Sequence, residues 1–219
     1  MTPRLVIFDC DGVLVDSEHL SNIVLAEFIT ESGWALNAPE CSTLFVGRRM
    51  DDVMAMISGK VGKSLPLGWL AEYERRRDIS FKQDLKAIPG IRTVLDILSR
   101  NRLAYCVASS GPLSKMHFTL SLTELRTYFP DDILFSARGL PRGKPFPDVF
   151  LHAAKQMGAD PLDCVVVEDS PAGAAAAKAA GMRCFAYAVA GNSQALIDQN
   201  AVCFFTMAQL PTLLGLSPG

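Results

Sequence analysis

Asp9 and Asp11 stand two residues apart, followed by Gly12 and preceded by the apolar run Leu5-Val6-Ile7-Phe8. Two carboxylates at that spacing at the end of a strand point to the same side, where they can share a metal ion and a phosphate group. Taken alone, Asp9-x-Asp11-Gly12 is equally an Asx-type turn whose carboxylates cap backbone amides. Three later stretches bear on that choice. Val107-Ala108-Ser109-Ser110-Gly111 offers hydroxyl groups, Gly143-Lys144-Pro145 holds a cation between a glycine and a proline, and Val167-Glu168-Asp169-Ser170 carries an acidic pair. Each has an ordinary reading: a turn serine, a solvated lysine, acids favoured by the dipole at a helix start. All four, however, fall at or just beyond the carboxyl ends of strand-like runs, and their coincidence points to one site.

The chemistry of such a site is coherent. A carboxylate can attack phosphorus and form an aspartyl-phosphate. Asp9, Glu168, Asp169 and a phosphate dianion would carry five negative charges, of which Lys144 and one Mg²⁺ cancel three. A divalent cation is therefore close to obligatory, and oxygen-only ligands beside a phosphate favour Mg²⁺ over zinc. Offsetting charge on the transferring group is the main catalytic contribution in phosphoryl transfer. Asp11 is left to protonate the leaving oxygen and then to deprotonate water, a role typically worth about 10²–10⁴-fold.

The elements that must position these groups follow from the apolar pattern. Strand-like runs are expected at Leu5 to Asp9, Leu103 to Ser109, Ile133 to Ser136, Cys164 to Glu168, Arg183 to Ala188 and Val202 to Phe205. Helical patterns lie between most of them, as at Ile91 to Arg100 and Pro147 to Met157. Alternation of this kind implies a parallel sheet covered on both sides, with ligands bound at the carboxyl ends of the strands. From Ser17 to Lys86 the alternation stops. Leu20, Ile23, Val24 and Phe28 make one helical face, Asp51 to Ile57 and Leu67 to Lys82 also read as helix, and Ser64-Leu65-Pro66 breaks between them. The expected organisation is a core of residues 1–16 and 87–219 with an inserted helical module of residues 17–86.

Bulk properties narrow the function classes. The chain has 219 residues, 49% of them hydrophobic, and a net charge of −2, so it has material for a sizeable core and no general basic face for nucleic acid. No apolar stretch approaches the roughly 20 residues of a membrane helix, and the first residues lack the layout of a signal peptide. The six cysteines include no C-x-x-C pair, and four sit in or beside apolar runs, which argues for reduced thiols and no structural zinc. A cytoplasmic monomer acting on a small molecule, with neither nucleic acid nor membrane as partner, is the expectation.

The motifs together resemble those of the haloacid-dehalogenase-like hydrolase superfamily, in its β-phosphoglucomutase-like branch. The resemblance covers nearly the whole chain. Asp9-x-Asp11-Gly12-Val13-Leu14-Val15-Asp16-Ser17 corresponds to the family's first motif, Ser109 to the second, Lys144 in G-K-P-x-P-D to the third and Glu168-Asp169-Ser170 to the fourth. It implies an α/β fold, a Rossmann-like parallel-sheet core with an inserted α-helical cap. It also implies Asp9 as nucleophile, Asp11 as acid and base, and Ser109 and Lys144 on the phosphoryl oxygens, with Ser110 and Gly111 beside them. Mg²⁺ would be held by Asp9, the Asp11 main-chain carbonyl and Asp169, with Glu168 assisting.

Within the family, true dehalogenases lack the second aspartate, which Asp11 supplies here. Mutases usually carry a histidine on the first cap helix where this chain has Ser21, and a serine-lysine-asparagine run after the second motif where it has Ser110-Gly111-Pro112-Leu113. Both departures favour a phosphatase over a phosphosugar mutase. A non-catalytic phosphate-sensing or partner-binding protein on the same fold is the alternative of another class, and retention of Asp9, Asp11, Lys144 and Asp169 argues against it. The stretch Ser109-x-Gly111-Pro112-x-x-Lys115-Met116 resembles that of bacterial phosphatases acting on phosphorylated sugar acids such as 6-phosphogluconate.

Substrate choice should come from the cap. Arg48 or Arg49, in Val46-Gly47-Arg48-Arg49, can bind an anionic or hydroxylated tail, the alternative being plain solvent exposure. Arg75-Arg76-Arg77 fan out around a helix and read as a solvated face. Arg48→Ala and Arg49→Ala should lower kcat/KM for a large anionic substrate by about 10- to 150-fold. Turnover of p-nitrophenyl phosphate, which has no remote anionic group, should hardly change. Equal losses on both substrates would place specificity elsewhere.

Overall fold

A computed structural model of the chain describes residues 2–45, 50–188 and 193–216. Arg48 and Arg49 lie outside the described residues. Strand β1 (Leu5–Phe8) is followed by helices α1 (Ser17–Ser32), α2 (Ala38–Phe45), α3 (Met50–Val61) and α4 (Trp69–Asp84). Then come α5 (Ile91–Arg100), β2 (Ala104–Ser109), α6 (Leu113–Leu122), β3 (Leu134–Ser136), α7 (Asp148–Gln156) and β4 (Cys164–Glu168). The chain ends with α8 (Pro171–Ala179), β5 (Arg183–Tyr187), α9 (Ser193–Ile197), β6 (Val202–Phe204) and α10 (Leu210–Leu213).

The strands form one parallel sheet in the order β3-β2-β1-β4-β5-β6. β1 pairs with β2 on one side and β4 on the other, with Phe8 opposite Val107 and Val167. That places the sheet's reversal of strand order around β1, where crossovers run off in opposite directions and a crevice opens at the carboxyl ends. Both faces are covered, so the strands read as apolar runs. Leu5, Ile7, Cys106, Ala108, Cys164 and Val166 pack with Val149, Phe150, Ala153 and Ala154 of α7 and Ala174, Ala176 and Ala177 of α8. Val6, Phe8, Val107, Val165 and Val167, pointing the other way, are also buried. The small side chains of α8 bring its backbone close to the sheet.

The chain divides into two compact units, residues 1–15 with 87–219 and residues 16–86. Among its described residues the second unit has helices α1 to α4 joined by turns and no strand. Its core joins Val24, Phe28 and Ile29 of α1, Cys41 and Phe45 of α2, Val53 and Ile57 of α3, and Trp69 and Tyr73 of α4. At the joint the two chain segments run antiparallel. Val15 bridges Ala87, the Ile88 N–H donates to the Leu14 carbonyl at 3.0 Å, and the Asp16 N–H to the Lys86 carbonyl at 2.9 Å.

Some expected boundaries move. Ile133 closes a 3₁₀ turn before β3, and Asp9, Leu103, Ala188 and Phe205 fall outside the strands. α2 has no counterpart in the pattern reading. The arginine run also differs from a uniformly solvated face. Arg75 and Arg76 share Glu72, and Arg76 also reaches Glu31. The Arg77 side chain is only 12% exposed, with its guanidinium over Tyr73 and Phe81. No helix among the described residues is long and apolar enough to cross a membrane, and all six cysteines are free thiols.

Candidate active site

Asp9 leaves the end of β1 with its N–H donating to the Val167 carbonyl of β4 at 2.9 Å. This bond ties Asp9 to the strand that ends in Glu168. The chain then turns at once. The Leu14 and Val15 N–H groups both return to the Cys10 carbonyl, at 3.0 and 3.2 Å, and Gly12 sits at φ +77°. A side chain at Gly12 is excluded on two grounds. Its backbone lies in the left-handed region, and a Cβ there would stand 1.9 Å from Oδ2 of Asp169. The glycine lets the first-strand loop lie directly against the fourth-strand acid.

Glu168 ends β4 fully buried. Its Oε2 accepts from the Asp169 N–H, the Ser170 N–H and the Ser170 hydroxyl, all at 2.9 Å. Ser170 also caps α8, accepting from the Gly173 N–H at 3.0 Å. A Cβ on Gly173 would fall 1.8 Å from Oε1 of Glu168, so this helix start is open at that position to admit the acid.

Lys144 arrives from the loop after β3. Its Nζ donates to Oδ1 of Asp9 and Oε1 of Glu168, each at 2.6 Å, and to the Ala108 carbonyl at 3.3 Å. The ammonium also lies 4.8 Å from the centre of the Phe150 ring. Burial pulls Lys144 down, but the Asp9 and Glu168 carboxylates more than reverse this and hold it above the ordinary lysine range. Burial likewise pushes the Asp9 carboxyl up to about 7; Lys144 opposes this shift, while Glu168 and Asp11 add to it. Asp9 thus sits where added positive charge stabilises its ionised form.

Oxygens of Asp9, Glu168 and Asp169 lie within 4.8 Å of one another, all three residues buried. An all-oxygen, all-anionic set of that span, with one of its acids destabilised as a carboxylate, fits a hard divalent cation such as Mg²⁺. Asp11 is not part of this cluster through its side chain. Its carboxylate is held by Lys115 of α6, whose Nζ donates to Oδ1 at 2.8 Å and Oδ2 at 2.9 Å. Ser109 is buried, its Oγ accepting from the Gly111 N–H at 3.1 Å, and Ser136 donates to the Gly111 carbonyl at 2.6 Å. Ser110 is exposed.

Asp9, Asp11, Ser109, Lys144, Glu168 and Asp169 therefore all stand at the carboxyl edge of one sheet. Sequence reasoning assigned no role to Lys115, Ser136 or Gly173. Lys115 had a signal, being part of the stretch after Ser109, but its partner Asp11 is more than a hundred residues away.

This geometry, four acids and two ammonium groups around the reversal point of a parallel sheet, agrees with comparisons to known proteins. The chain belongs to the haloacid dehalogenase-like hydrolase family, whose model matches residues 3–181. Within that family it is a phosphatase. It is 32% identical over 210 residues to the 6-phosphogluconate phosphatase of Escherichia coli K12, covering 95% of this chain and 93% of the relative. It is 34% identical over 187 residues to hexitol phosphatase B of the same organism, covering 83% of each. A family hydrolase from Deinococcus radiodurans R1, solved with bound phosphate and sodium, superposes with a TM-score of 0.82 at 30% identity, covering 100% of this chain and 99% of that one.

The two close approaches by glycine can be tested against an open one. Gly12→Ala and Gly173→Ala should each destabilise the protein by about 1–3 kcal/mol through overpacking and reduce phosphatase activity sharply. Gly59→Ala in α3, where a Cβ meets nothing within 4 Å, should instead stabilise it by about 0.5–1 kcal/mol. Urea unfolding alongside a phosphate-release assay reads both effects.

Proposed function

We propose that the protein is a Mg²⁺-dependent phosphomonoesterase working through an aspartyl-phosphate on Asp9. The observation that carries this reading is the Asp9 carboxylate itself, buried at 7% exposure and gripped at one oxygen by Lys144. Lys144 orients it and leaves Oδ2 to attack phosphorus. As the bond from Asp9 to phosphorus forms, the bond from phosphorus to the substrate oxygen breaks, and that oxygen takes a proton from Asp11. Water then attacks the same phosphorus and gives its proton to Asp11. Phosphate departs, Asp9 is regenerated, and Asp11 is again protonated. Ser109 and the Gly111 region would hold the phosphoryl oxygens, with Lys144 offsetting their charge.

Asp9, Asp169 and the Asp11 main-chain carbonyl would hold Mg²⁺, with Glu168 behind them. When bound, the ion neutralises charge on the phosphoryl group. The preferred substrate would be a sugar phosphate or sugar-acid phosphate such as 6-phosphogluconate. Support comes from the two Escherichia coli relatives and from the stretch Ser109 to Met116. Arg48 and Arg49 remain proposed readers of the substrate's far end.

Purified protein with Mg²⁺ should release phosphate from such substrates, chelator should abolish this, and Ca²⁺ should substitute poorly because its coordination is looser. Full activity in excess chelator would sink the metal assignment. A second measurement separates the two aspartates. Asp9→Asn should abolish turnover of every phosphomonoester. Asp11→Asn should lose about 10²–10⁴-fold on a sugar phosphate but much less in single-turnover phosphorylation by p-nitrophenyl phosphate, whose leaving group needs little protonation. Equal losses on both substrates would remove Asp11 from the acid role.

A further inference from the structure

Lys115 is the charged group of the core site that the scheme above leaves without work. Its side chain is 20% exposed and that of Asp11 is 25% exposed, so the pair stands at the mouth of the site and not in its floor. The ammonium spans both carboxylate oxygens at 2.8 and 2.9 Å. In that arrangement each oxygen of Asp11 accepts from a cation. Neither is turned to a leaving group, so the pair must open before Asp11 can serve substrate.

The stem of Lys115 shows where its ammonium can go. A Cβ built on Gly111 would touch Cδ of Lys115 and Oγ of Ser109, both at 3.5 Å, and Oδ2 of Asp11 at 4.0 Å. The lysine therefore runs over the same short loop that ends β2 and carries Ser109. The absence of a side chain at Gly111 keeps that route clear. Rotation about the last bonds of a lysine moves its ammonium by several ångströms without moving the helix that bears it. A phosphoryl group seated on Ser109 and Gly111 lies within that range and carries two charges to the carboxylate's one.

We propose that Lys115 passes its ammonium from Asp11 to the phosphoryl oxygens when a phosphomonoester enters. It is then a second cationic phosphate ligand beside Lys144, and its departure frees Asp11 to turn to the leaving oxygen. Arrival of the correct anion and release of the acid become one event. The inference rests on the phosphatase reading of the site.

The test compares wild type, Lys115→Met, Lys115→Gln and Lys115→Arg in saturating Mg²⁺. Affinity for inorganic phosphate is measured by calorimetry, and steady-state kinetics are measured on a sugar phosphate and on p-nitrophenyl phosphate. Lys115→Met should weaken phosphate binding by about 10- to 150-fold and raise KM for both substrates by a similar factor, the loss of one charge-assisted hydrogen bond. Lys115→Arg should restore most of it. Lys115→Gln, closer in size and polarity, should behave like Lys115→Met and guards against a packing artefact. Phosphate affinity that stays within about twofold in Lys115→Met and Lys115→Gln overturns the proposal, as does a fall confined to kcat, which would make Lys115 a positioning residue for Asp11 alone. A wild type that hydrolyses neither substrate would overturn the functional reading while leaving the calorimetric comparison to decide on Lys115.

Discussion

The buried ammonium of Lys144 is what allows Asp9 and Glu168 to occupy one small volume. Two carboxylates packed against one another in a dry site repel, and each loses hydration; a shared ammonium at 2.6 Å from both offsets these costs. Loss of one partner from a buried ionic group typically costs about 3–5 kcal/mol, because the remaining charge is stranded. The requirement reaches far down the chain. The sheet must bring β1 and β4 side by side so that Asp9 and Glu168 emerge together. The loop after β3 must return over β2 to deliver the lysine, and α8 must start with a residue small enough to admit Glu168.

That requirement also bears on the unequal treatment of Glu168, Asp9 and Asp11. Glu168 is satisfied at both oxygens, by Lys144 on one and by three donors of the α8 start on the other. It is structural charge, fixed in place. Asp9 has one oxygen on Lys144 and is held in a less favourable electrostatic setting. Asp11 has both oxygens on the Lys115 ammonium and is partly exposed. Exposure thus rises from Glu168 through Asp9 to Asp11.

Much of this could be read from residue types in order. Strands buried on both faces appear as short apolar runs, so all six were visible, and their ends carried the chemistry-bearing residues. What escaped reading depended on contacts between distant positions or on local chemistry that composition hides. α2 begins Ala38-Pro39, which looks like a break. Yet Asn37 accepts from the Glu40 N–H at 2.9 Å while Glu40 accepts from the Asn37 N–H at 2.8 Å. This reciprocal cap is legible as Asn37-x-x-Glu40, and proline is at ease in a first helical turn. The Lys115–Asp11 pair left no such trace, since nothing within ten residues of either names the other. Gly173 lies in the alanine-rich helix α8, and only the position of the Glu168 carboxylate shows why it has no side chain.

The antiparallel joint at Val15 and Ala87 has a consequence for the helical insert. Because backbone hydrogen bonds on either side of that bridge hold the insert's two ends at adjacent positions, the sheet experiences it as a closed loop. The entropy of closing a loop grows only logarithmically, about 0.6 kcal/mol for each doubling of length. An insert can therefore lengthen, shorten or be replaced outright at little cost to the sheet, provided the joint is kept. The sheet and the residues at its carboxyl edge can in this way tolerate many different helical inserts without change to their own packing.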